Sequence, residues 1–87
     1  MNYVCKVQMT LYRHIVAGGD VSGHYLSVSD NGRDANVYLL DCTMDTMPGD
    51  AIEAEEMITG KPLTNELIVE MKAQGAFREL RTFTRVI

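Results

Sequence analysis

Asn31-Gly32 is the pair of residues that most narrows what this chain can become. Asp30 and Arg33 bracket it, and beyond them lie two runs of strand-like composition, His24–Ser29 and Ala35–Asp41. A two-residue type I′ turn requires positive φ at both central positions, and Asn-Gly meets that demand at the least steric cost. A hairpin is therefore expected, and the turn sets its register. With Asn31 and Gly32 as the loop, Leu26 falls opposite Val37, Val28 opposite Ala35 and His24 opposite Leu39, while Tyr25 faces Tyr38 on the other side. A slip of one residue would exchange the two faces.

The segment before the hairpin predicts a long first strand from Tyr3 to about Arg13. Tyr3, Cys5, Val7, Met9 and Leu11 alternate with Lys6, Gln8, Thr10 and Tyr12, the period-two pattern of a half-buried strand. His14 to Gly23 reads as a glycine-rich loop. Gly18 and Gly23 have the spacing of a phosphate-binding loop, but His24 and Tyr25 follow where Lys and Ser or Thr are needed, and the segment leads into a strand. The phosphate-cradling mechanism is thereby excluded. After the hairpin, a helix capped by Thr46 is expected to run to about Ile58, ended by Gly60 and Pro62. A second helix begins at Thr64, with Leu63 and Ile68 placed as a hydrophobic staple, and stops at Gly75. The last strand, Ala76 to Val86, places Phe77, Arg81, Phe83 and Arg85 on one face.

The order β-β-β-α-α-β predicts a single α+β domain over residues 1–87. The economical packing is two layers, an antiparallel sheet of about four strands with both helices on its apolar face. The opposite face would carry Lys6, Gln8, Tyr12, Tyr25, Ser27, Asn36 and Tyr38. At 87 residues a lone core is close to marginal, so a homodimer is expected. Cys5 and Cys42 have neither disulfide-framework nor zinc spacing and read as free thiols. The first residues lack a basic start followed by an apolar run, and no stretch approaches membrane-spanning length. A cytoplasmic protein without a membrane partner is expected.

Chemistry-bearing residues are few. His14, Asp20, His24, Cys5 and Cys42 are those from which a nucleophilic or metal site could be assembled, yet none stands at a ligand spacing. No catalytic residue, metal or cofactor is expected, and the chain reads as a non-enzyme. The net charge of −4 is unevenly spread: acids crowd the region from Asp41 to Glu70, and Lys72, Arg78, Arg81 and Arg85 follow. A binding protein acting through protein–protein contacts fits these features best. Tyr12, Tyr25 and Tyr38 would anchor the contact from the sheet, and Asp50, Glu53, Glu55 and Glu56 would offer an acidic helical face to a basic partner. Such equipment suits an inhibitor, for example an accessory protein of a phage or mobile element directed against a host defence complex. The alternative is a small RNA- or DNA-binding regulator using Tyr25, Tyr38, Arg81, Phe83 and Arg85, against which the excess of acids weighs.

Overall fold

A computed structural model describes residues 5–86. Its elements are β1 (Lys6–Val16), β2 (Val21–Asp30), β3 (Asn36–Leu40), α1 (Ala51–Glu56), β4 (Ile58–Thr59), α2 (Asn65–Gln74) and β5 (Gly75–Val86). The five strands form one sheet in the order β4-β3-β2-β1-β5, with every neighbouring pair antiparallel. The α+β class and the antiparallel sheet agree with the sequence. The strand count does not, because β4 is a two-residue strand too short to carry a pattern. Tyr3, expected to open the first strand, lies outside the described residues.

β1 extends to Val16, so His14 to Val16 are strand and not loop. Only Ala17–Asp20 turn the chain, with Gly18 and Gly19 at φ 96° and 88°. The Asn-Gly turn forms as its chemistry dictates: Asn31 and Gly32 have φ 49° and 77°, and the Arg33 amide donates to the Asp30 carbonyl at 2.9 Å. The register beyond it differs from expectation by one residue. One extra residue between Arg33 and Asn36 stays out of the ladder, so Val28 pairs with Asn36, Leu26 with Tyr38, Tyr25 with Leu39 and His24 with Leu40. Ser29 steadies this detour by donating its hydroxyl to the Arg33 carbonyl. Tyr25 and Tyr38 thus lie on opposite faces of the sheet.

A second irregularity acts on β5. Leu11 pairs with Arg81 and Tyr12 with Glu79, leaving Leu80 as the extra residue of a bulge. Phe77 and Phe83, read from sequence as sharing a face, are thereby separated. Phe83 enters the main core with Val7, Met9, Leu11, Leu26, Leu40 and Ala54 of α1. Phe77 pairs with His14 and joins the other face.

These two shifts explain the largest correction. α1 covers the core face, but α2 packs across the opposite face, so the molecule has three layers where two were expected. The face read as open and polar holds Val37 and Leu39 because of the β3 shift and Phe77 because of the β5 bulge. An apolar surface there must be covered. Met71 of α2 does so and is the one buried residue of that helix.

Local sequence accounts for both helices. Asp50, not Thr46, caps α1, accepting from the Glu53 amide at 2.8 Å, while the Glu53 carboxylate accepts from the Gly49 amide at 2.8 Å. This reciprocal arrangement closes the helix start. Thr46 instead folds back on Thr43 in the preceding loop. α1 stops at Glu56, two residues short of the expected end, because Ile58 and Thr59 pair with β3. Thr64 caps α2 as anticipated, accepting from the Leu67 amide at 3.2 Å. Gly75 then carries the chain directly into β5. A side chain at this position would run into the backbone of Ile15 and Val16, so glycine is required by close approach.

Candidate functional site

The face beneath α2 is organised in rows across β2, β1 and β5. Ser29, Gln8 and Thr84 make one row and Ser27, Thr10 and Thr82 the next. Tyr25, Tyr12 and Glu79 follow, then Gly23, His14 and Phe77. Polarity therefore falls along the strands, from hydroxyls and an amide to an aromatic cluster. In that cluster the Phe77 ring lies 4.7 Å from His14, 5.7 Å from Tyr25 and 6.2 Å from Tyr12. The Tyr25 and Tyr12 contacts are edge-on, an arrangement favoured by the ring quadrupoles.

His14 is the polar centre of this cluster and is 1% exposed. Nε2 donates to the Met71 carbonyl at 2.7 Å, tying the last turn of α2 to the sheet. That assigns the second nitrogen: Nδ1 is the acceptor, and it receives the Ser22 hydroxyl. Ser22 reaches it through a further bulge. His14 pairs with Gly23 and Ile15 with Val21, so Ser22 is the unpaired residue, turned towards the histidine.

α2 lies across the face and leaves a hollow on each flank. One, of about 230 Å³, is lined by Tyr12, Ser27, Val37, Ile68, Lys72 and Phe77. The other, of about 320 Å³, is a groove with His14, Ser22 and Gln74 at one end and Tyr25, Met71 and three leucines along its walls. Those leucines, Leu39, Leu63 and Leu67, come from β3, the loop before α2 and α2 itself. Leu39 and Leu67 are each 40% exposed, so this groove keeps apolar surface open to solvent. Glu66 and Glu70 stand on the same flank of α2, at helical spacing around Leu67, and are exposed. Lys72 belongs to the opposite flank.

The second histidine has a separate environment. His24, 3% exposed, accepts at Nε2 from Arg13 Nε at 3.1 Å. Burial first, and the Arg13 guanidinium second, hold its pKa below the ordinary histidine value, against the opposing effect of a backbone hydrogen bond at Cys42. Burial and the neighbouring Asp41 charge push the Cys42 thiol up, away from thiolate reactivity. No group of three or more metal-ligating side chains occurs among the described residues.

The structure brings together only part of the predicted site. Tyr12 and Tyr25 are cross-strand partners beside the groove. Tyr38 lies on the core face opposite Leu26. Asp50 and Glu53 are occupied in capping α1, and Glu55 pairs with Arg85. Of the acidic helical face, Glu56 alone is exposed without such a task. The nucleic-acid alternative fares no better as a surface, since Phe83 is 8% exposed and Arg81 lies over its ring at 5.8 Å. Residues the sequence did not mark are Ser22, Leu39, Leu67 and Phe77. Ser22 had one usable signal, since a hairpin turning near Ala17–Asp20 sets it across from His14. No protein-family model, curated protein or solved structure matches the chain.

Proposed function

We propose that this chain is a protein-binding module, of the inhibitor or adaptor kind, that takes an apolar segment bearing lysine or arginine into the groove beside α2. The carrying observation is the half-exposed pair Leu39 and Leu67, which line one groove of about 320 Å³, with Glu66 and Glu70 exposed at helical spacing around Leu67. Apolar walls supply the contact energy and acidic rims select the partner's charge. Tyr25, lining the same groove, adds an aromatic wall from which it would anchor the contact. The acidic contribution expected from α1 passes to α2, because Asp50, Glu53 and Glu55 serve the cap and an ion pair, leaving Glu56 alone. Action on a host defence complex by a phage or mobile-element protein is one setting in which such a module would serve.

The test is capture of a partner from host lysate with nuclease present, repeated with Leu67→Asp and with Glu66→Lys/Glu70→Lys. All substituted positions are exposed, so the fold should persist by circular dichroism. Loss of a stoichiometric partner in both variants is expected. Undiminished capture by Leu67→Asp would remove the groove from the interface, and a wild-type signal abolished by nuclease would favour nucleic acid.

A further inference from the structure

We propose that Ser22 and His14 form a nucleophile and general-base pair, making the end of the groove an acyl-transfer site for carboxylic esters with apolar acyl chains. Two hydrogen bonds fit this assignment. The Ser22 hydroxyl donates to His14 Nδ1, and His14 Nε2 donates to the Met71 carbonyl at 2.7 Å. That carbonyl orients the imidazole as the third member of a hydrolytic triad would, and fixes the tautomer in which Nδ1 can accept a proton. It also lies in the last turn of α2, whose negative end favours the imidazolium that forms during reaction.

The fold places these groups deliberately. A bulge in β2 turns Ser22 out of the strand ladder towards His14, and bulges recur where a strand must re-aim a side chain. Ser22 is exposed while His14 is buried against Phe77, so the nucleophile meets solvent and its base is shielded. The Tyr25 hydroxyl lies 3.3 Å from where a Cβ on Gly23 would stand. It is thus a hydrogen-bond donor next to Ser22, suited to the oxygen that becomes negative. Leu39, Leu63 and Leu67 provide the apolar wall for an acyl chain.

In the reaction, Ser22 Oγ adds to the ester carbonyl carbon and its proton passes to His14 Nδ1. Collapse of the tetrahedral intermediate breaks the bond to the alcohol oxygen, which leaves with the proton returned by Nδ1. Water, deprotonated by Nδ1, then cleaves the acyl-serine, releasing the acid and restoring Ser22. No redox partner is consumed. The site shares its leucine wall with the proposed binding groove, and the two readings separate at Ser22, because Ser22→Ala removes the nucleophile while leaving Leu39 and Leu67 in place.

The experiment treats the purified chain with p-nitrophenyl butyrate and, separately, with a fluorophosphonate probe located by intact mass and peptide mapping. One probe on Ser22 is expected, with ester turnover falling at least ~100-fold in Ser22→Ala and His14→Gln. A folded wild type that takes no probe, takes it elsewhere, or turns over ester no faster than Ser22→Ala would overturn the proposal. Because Ser22 is exposed, Ser22→Ala decides the matter even where His14→Gln fails to fold.

Discussion

At His24, burial sets a direction for the pH dependence of stability. Its folded pKa lies below the ordinary value, so above about pH 6.5 the ring is neutral in both folded and unfolded states. As pH falls below that point, the unfolded chain takes up the proton more readily than the folded one, and stability declines towards the folded pKa. Protonation at Nε2 would also set two positive charges, His24 and Arg13, at hydrogen-bond distance. His24→Gln keeps an acceptor for Arg13 but does not titrate. Urea midpoints at about pH 7.5 and about pH 5.5 should therefore converge more in the variant than in the wild type. The sequence marked both histidines as possible ligands, and each is buried and hydrogen-bonded, His24 to Arg13 on the neighbouring strand and His14 to Ser22 and the distant Met71. Met71, 57 residues beyond His14, is a partner that no local pattern could announce.

Gly75 joins α2 to β5 without an intervening residue, and its lack of a side chain lets the start of β5 lie against Ile15 and Val16. Gly75→Ala must push these backbones apart, a cost of roughly 1–3 kcal/mol for overpacking at a rigid site. Denaturant unfolding of that variant should show the loss, with the first pairs of the β1–β5 ladder exchanging amide protons fastest. α2 itself was readable because Thr64, Gly75 and its apolar spacing are local signals. Its destination was not. The face that receives α2 became apolar through one extra residue before Asn36 and one at Leu80, and neither changes composition or period enough to be seen. The alternation of β1 was legible for the opposite reason: Val7, Met9 and Leu11 follow one another without interruption into the core.

As a whole the molecule is elongated, with extents of 52 × 29 × 21 Å set by the long β1, β2 and β5 strands. β4 shields part of one sheet edge, but β5 leaves twelve residues of backbone at the other. A homodimer, proposed from chain length, would have this edge as its route. Arg78, Glu79, Arg81 and Arg85 and the Leu80 bulge guard it, as charges and bulges do on natural edge strands. Two copies also repel through their net charge of −4. Self-association should therefore strengthen as ionic strength rises from about 0.05 to about 0.5 M, which shortens the range of repulsion. Sedimentation velocity would show the mass moving upward from 9.7 kDa. The unpaired residue between Arg33 and Asn36 has a consequence of another kind. It acts as a parity bit for everything downstream in β3: drawing that residue into the ladder would restore the register of the tight two-residue hairpin and invert the strand. Leu39 would then be delivered to the core, while Leu40 and Tyr38 would be turned towards α2. A groove wall and a core position would change places through the pairing of a residue that itself touches neither.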